Sequence, residues 1–119
     1  LAVSRAPSLF HCTAGKDRTG LFAMLVLRSV GVSHDDVMTD FTLSNPYRAE
    51  ARMVALAPMF AERGLDIEDY RPALSAPALA LEMATEWLDD THGGPVGYLR
   101  RAGGLAEADL AAIRALLVV

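Results

Sequence analysis

The tightest constraint on this chain is the ten-residue stretch His11-Cys12-Thr13-Ala14-Gly15-Lys16-Asp17-Arg18-Thr19-Gly20, which contains the single cysteine. Five residues separate Cys12 from Arg18. That is enough backbone to curl into a cup whose N–H groups point inward, a concavity that binds anions. A helix starting near Arg18 aims its free N–H groups and the positive end of its dipole at the same point. Upstream, Ser8-Leu9-Phe10-His11 reads as a short apolar strand that delivers Cys12 to the carboxyl edge of a parallel sheet, where ligand sites of open α/β sheets lie. Strand, anion loop and helix in immediate succession predict an α/β fold.

The residue types at these spacings have a chemical reading. A thiol at the floor of such a cup ionises below its ordinary value, so Cys12 is a thiolate nucleophile. Arg18 offers a planar fork that holds two phosphoryl oxygens at once, which a lysine cannot do. Gly15 permits tight curvature or a positive φ close to the ligand. Thr19 places a hydroxyl where it can hydrogen-bond the departing sulfur, and His11 fixes the loop and helps keep the sulfur anionic. The plain alternatives are a buried, inert cysteine, a surface ion pair for Arg18, and for Asp17 an acid that stabilises a helix start.

The string resembles the His-Cys-x5-Arg-Ser/Thr signature of the protein tyrosine phosphatase superfamily. It is most similar to the bacterial tyrosine and dual-specificity branch that carries Ala-Gly-Lys-Asp-Arg-Thr-Gly in the loop. The resemblance implies a phosphocysteine mechanism, with Cys12 attacking phosphorus, Arg18 binding the phosphoryl group and water hydrolysing the thiophosphate. It implies a phosphate-binding loop over Thr13, Ala14, Gly15, Lys16, Asp17 and Arg18, and neither metal nor cofactor. Better-known members keep their general acid on a mobile loop upstream of the signature, and eleven residues before Cys12 leave no room for one. Asp17, directly before the signature arginine, is therefore the candidate acid, set against a structural role. Lys16 reads either as a rim cation that attracts a second phosphate or as a solvated lysine at a loop tip. The implied substrates are phosphotyrosine proteins, with phosphoserine and phosphothreonine if specificity is dual; phosphoinositides, or phosphate binding without catalysis, are the alternatives.

Residues 1–119 are enough for one domain. Phosphatases of this branch are usually longer, and the chain starts at Leu1. It therefore reads as the C-terminal, mostly helical portion of a catalytic domain: one strand, the phosphate loop, then five or six helices, with the N-terminal sheet portion missing. A hydrophobic content of 52% fits helices that cover a sheet supplied by other residues. The net charge of −4 and scattered basic residues argue against nucleic acid. One cysteine allows no internal disulfide. No apolar run is long enough for a transmembrane span, so the expected setting is cytoplasmic or secreted.

The first helix is expected from Arg18 to Val30, apolar nearly all round and hence buried between other elements, with Gly31 as its stop. Ser33 is an N-cap, followed by Asp35 and Asp36 in the first turn of a second helix. Asn45-Pro46 predicts a break. Met53, Leu56, Ala57 and Phe60 form a core stripe on a helix from Tyr47 to Arg63, kinked at Pro58 and ended by Gly64. In the resembled branch such helices form a lid, which brings Tyr47 and Arg48 toward substrate. Leu65 to Ser75 reads as an irregular turn; its Asp66, Glu68 and Asp69 lack any His or Cys partner for a metal. A helix from Pro77 to Asp90 is expected to bury Ala80, Met83, Ala84, Trp87 and Leu88. His92-Gly93-Gly94-Pro95 is a tight connection with His92 on the surface. A short helix at Gly97–Arg100 precedes a closing helix, with Leu105 and Leu110 stapled about Ala106. The Gly-Tyr-Leu-Arg segment and the Gly-Leu before the closing helix also resemble the C-terminal end of the same branch.

Overall fold

Helix formation begins inside the signature string. The computed structural model describes residues 7–118. Helix α1 spans Asp17–Ser29, and its acidic first residue and basic Arg28 in the last turn both suit the dipole. Its C-terminal carbonyls are met from a distance: Arg114 Nη1 donates to Val30 O at 2.8 Å, and Gly31 turns the chain at φ +96. Helix α2, His34–Thr42, starts as the sequence predicts, with Ser33 Oγ accepting from Asp36 N at 3.1 Å.

Asn45-Pro46 does not break the chain. It opens a π-helical turn, Asn45–Ala49, that runs directly into α3, Glu50–Ala61. The wider winding accommodates a residue that lacks a donor and crowds the preceding turn. Pro58 lies inside α3, and Gly64 turns the chain at φ +68. A 3₁₀ turn, Ile67–Tyr70, and the short α4, Arg71–Leu74, occupy the stretch expected to be irregular. Its acids are engaged locally: Asp66 Oδ1 accepts from Glu68 N at 2.9 Å, and Glu68 Oε2 pairs with Arg71 Nε at 2.7 Å. Helices α5 (Ala78–His92), α6 (Pro95–Arg101) and α7 (Glu107–Leu117) complete the chain. At the start of α7, Asp109 Oδ2 accepts from Ala106 N at 3.0 Å.

The core lies where α1, α2 and α5 meet. Met24, Val37, Phe41, Ala76, Leu81 and Leu88 form one buried cluster, with Tyr98 of α6 packed against it. The inward stripe of α5 is Leu81, Thr85 and Leu88: Leu88 is buried as the sequence predicts, while Ala80, Met83 and Trp87 of the expected face are exposed. Trp87 is 54% exposed and Met83 is 60% exposed. Both faces of α5 carry apolar residues, so periodicity leaves its orientation open, and packing on α2 settles it. The one polar residue on the stripe is satisfied within the helix, because Thr85 Oγ1 donates to Leu81 O at 2.9 Å. His92 is not free on the surface; its ring packs edgewise against Trp87 and Tyr98, with centroids 5.1 Å from each.

Two expectations about the first segment need correction. No strand occurs among the described residues, and Ser8–His11 has no regular secondary structure. A strand is defined by the neighbour it pairs with, and here nothing pairs; Leu9 is 91% exposed. Helix α1 is likewise not buried all round. Met24 faces the core, Leu21 one turn earlier on the same side is only partly covered, and Phe22 on the other side is 41% exposed. The radius of gyration, 17.0 Å, exceeds the roughly 13.5 Å of a compact domain of this length. What is observed is helical, with one covered side and one apolar side open.

Candidate active site

The loop between Phe10 and α1 carries out the turn that its sequence requires. Gly15 adopts φ +61, in the left-handed region, and a Cβ there would meet no atom within 4 Å. The requirement at Gly15 is thus conformational rather than steric. With this turn made, Gly15 N donates to Cys12 Sγ at 3.1 Å, and Gly20 N closes the first helical turn on Lys16 O at 2.6 Å. Across the loop, Arg18 Nη2 donates to Thr13 Oγ1 at 3.3 Å. Cys12, Arg18, Thr19 and His11 line one open hollow of about 280 Å³, completed by Phe10 and Phe22. Those two rings pack against each other with centroids 4.5 Å apart.

This environment acidifies the cysteine. The Cys12 thiol is lowered to about 6, most strongly by the Thr19 hydroxyl and further by the backbone N–H groups of Lys16, Thr19 and Gly15; desolvation opposes them. Thr19 Oγ1 is buried and has no hydrogen-bond partner among the described residues, which leaves its hydroxyl available to an ionised sulfur. A thiol lowered to about 6 favours the thiolate at neutral pH, in an open hollow that Arg18 also lines. Such a group can attack an electrophilic centre held by Arg18.

The other residues singled out in the loop are placed differently. Asp17 has a side chain that is 63% exposed and lies 3.5 Å from Lys16 Nζ. It lines a separate small hollow with Leu21, Phe41 and Ala84 rather than the one around Cys12. Lys16 is neither a rim cation nor a solvated loop tip: it is buried, and its Nζ donates to Ala73 O at 2.7 Å and Ser75 O at 2.6 Å. That leaves its backbone N–H, not its ammonium, for the loop. Ala14 contributes backbone only. Tyr47 is 79% exposed on the π turn, and Arg48 lies next to it; neither lines the Cys12 hollow.

Two residues of this region were not singled out from the sequence as parts of the site. Phe22 walls the hollow, and its position one turn into a helix that starts at the loop was the available signal. Asn45 is bound to the segment that holds Lys16, with Oδ1 accepting from Ala76 N at 2.6 Å and Nδ2 donating to Ala76 O at 3.0 Å. No local pattern reveals a contact across 31 residues.

The chain is similar in sequence to known phosphatases. A sequence model of the tyrosine phosphatase family matches residues 1–119. A candidate tyrosine-protein phosphatase of Cupriavidus necator is 40% identical over 106 residues, covering 89% of this chain and 37% of that protein. The triple specificity protein phosphatase PtpB of Mycobacterium tuberculosis is 33% identical over 129 residues, covering 99% of this chain and 46% of its own. A tyrosine-protein phosphatase of Nostoc commune is 34% identical over 106 residues, 80% of this chain and 34% of that protein. The chain thus spans less than half the length of each of these relatives.

Proposed function

The chain belongs to the tyrosine phosphatase family, and we propose that it carries the nucleophilic centre of a protein tyrosine phosphatase, possessing dual specificity, that works through a phosphocysteine intermediate. The observation that carries this reading is Cys12, with its thiol at about 6, in an open hollow that also contains Arg18 and Thr19. In the first step the Cys12 thiolate attacks phosphorus, the ester P–O bond breaks, and the departing oxygen takes a proton from Asp17. In the second, water gives a proton to the Asp17 carboxylate and attacks phosphorus; the P–S bond breaks and the thiolate returns to the Thr19 hydroxyl. Arg18 and the loop N–H groups of residues 13–18 hold the phosphoryl oxygens throughout. His11 supports the loop at the rim of the hollow. Asp17 is exposed and directly precedes Arg18 in the loop, and delivering its proton requires its side chain to turn from the hollow it lines now toward the one around Cys12.

The relatives named for action on phosphotyrosine and for triple specificity support phosphorylated proteins as the substrate class. The phosphoinositide reading drew on a cationic Lys16 at the rim, and with that ammonium turned to Ala73 and Ser75 this chain offers it no separate support.

We further read residues 1–119 as the C-terminal portion of a phosphatase domain. The open apolar side of α1, with Leu9 and Phe10 beside it, suits a sheet in which Ser8–His11 pairs as a strand and restores the α/β architecture. No described helix is long and apolar enough to cross a membrane.

The test is hydrolysis of p-nitrophenyl phosphate by the protein and by Cys12→Ser, with reductant and without added metal. Turnover that vanishes in the variant supports the thiolate mechanism. A folded, reduced protein that binds phosphate without turnover supports the non-catalytic alternative.

A further inference from the structure

The Lys16 side chain is the one charged group of the signature loop that is buried, and it is spent on protein rather than on ligand. Its relative exposure is 7%, and its Nζ takes two main-chain carbonyls, Ala73 O and Ser75 O, from a segment 57 and 59 residues away. Three Lys16 atoms thereby serve three purposes: the backbone N–H acts on the Cys12 sulfur, the carbonyl closes the first turn of α1 through Gly20 N, and the ammonium fixes the residue to the end of α4. The same short segment is held from its other side. Asn45 pairs with both main-chain polar groups of Ala76, and Ala76 is completely buried in the core cluster.

The consequence is a closed path. Residues 45 and 76 are the two ends of a helical excursion comprising the π turn, α3, the 3₁₀ turn and α4, and Asn45 joins those ends. Within the excursion α3 packs chiefly on its own neighbours, the π turn, the 3₁₀ turn and α4. Arg71 ties it together by pairing with Glu50 and Glu68. The excursion is thus one unit, hinged where Asn45 grips Ala76, and Lys16 connects that hinge to the loop around Cys12.

We propose that Lys16 and Asn45 are positioning residues: the Asn45–Ala76 clamp sets the carbonyls of residues 73 and 75, these set Lys16, and Lys16 sets the loop N–H groups on the Cys12 sulfur. The loop geometry, and with it the nucleophile, depends on the seating of the helical excursion. This deepens the phosphatase reading and rests on it for its meaning in catalysis, but its physical content is the state of one thiol. The charged and titratable groups that share the hollow with that thiol are His11 and Arg18; Lys16 and Asp17 lie behind it, and Glu50, Glu68 and Arg71 act only within the excursion.

The experiment is the pH profile of Cys12 alkylation by iodoacetamide in the wild-type protein, Lys16→Met and Asn45→Ala, with circular dichroism to establish folding. Asn45→Ala changes no charge, so a shift in it reports geometry. The midpoint is expected to rise in both variants, by about one unit in Lys16→Met, which is about tenfold less thiolate on the acidic side. A rise confined to Lys16→Met means that the ammonium acts through its charge alone and overturns the coupling. An unchanged midpoint in both overturns it as well. Where Lys16→Met does not fold, Asn45→Ala decides by itself. Alkylation requires no turnover, so a wild-type protein inactive on p-nitrophenyl phosphate sinks the phosphatase reading while leaving this measurement intact.

Discussion

Gly20 and Phe41 are in contact with no room for a side chain between them: a Cβ on Gly20 would lie 2.6 Å from both Cδ2 and Cε2 of the Phe41 ring. Gly20 closes the signature string, and Phe41 belongs to the core cluster on α2. The last residue of the signature string is thus also a point where α1 packs tightly on α2. Gly20→Ala gains helix propensity but overpacks this contact, and a net destabilisation of about 1–3 kcal/mol is expected. Thermal melts of Gly20→Ala and of Gly20→Ala with Phe41→Leu check it; the second substitution should recover part of the loss.

The acidified thiol fixes the sign of a pH dependence. With the Cys12 thiol at about 6, the thiolate fraction rises as pH increases through that value and falls below it. The rate of alkylation of Cys12 by iodoacetamide should therefore climb around pH 6 and flatten before neutrality. A profile that climbs only above pH 8, as for an unperturbed thiol, would contradict the loop geometry.

Thr19 is the largest of the influences that lower the thiol. Thr19→Val keeps the shape and removes the hydroxyl, so the alkylation midpoint should move upward, further than for any substitution that leaves the loop N–H groups and Thr19 in place. Burst kinetics should also show slower release of the sulfur from phosphorus, because the returning thiolate has lost its donor.

Asp17→Asn separates proton donation from structure. If Asp17 protonates the leaving oxygen, the variant should slow turnover of substrates with poor leaving groups by about 10²–10⁴-fold and affect p-nitrophenyl phosphate much less. An equal loss for all leaving groups points instead to its place at the start of α1, beside Lys16.

Met24 is the largest fully buried side chain, at the centre of the α1, α2 and α5 contact. Met24→Ala leaves a cavity there and should cost about 2–5 kcal/mol, read as a lower midpoint in urea denaturation with the slope unchanged.

The loop geometry was legible in ten residues because the features that produce it are local. A Cys-x5-Arg loop curls, Gly15 supplies the one positive φ it needs, and Thr19 is within reach of Cys12 by chain geometry alone. The start of α2 at the Ser33 cap and the stops at Gly31 and Gly64 were equally readable, since capping and left-handed turns involve only a few consecutive residues.

Where the outcome depends on what an element packs against, the sequence was silent or misleading. The apolar pattern of α5 groups Trp87 with Leu88, and only the approach of α2 decides that Leu88 is buried alongside Leu81 while Trp87 stays exposed. Ser8–His11 has the residues of a strand, but a strand needs a partner, and the described residues provide none. Lys16 differs most: a lysine in such a loop reads either as a rim cation or as a solvated loop tip, while its Nζ lies on two carbonyls nearly sixty residues along the chain. The sequence by itself determined the left-handed turn at Gly15, the Ser33 cap of α2 and the turns at Gly31 and Gly64. Tertiary structure decided which faces are covered and where the loop lysine goes, because burial and long-range hydrogen bonds depend on neighbours that local residue pattern does not specify.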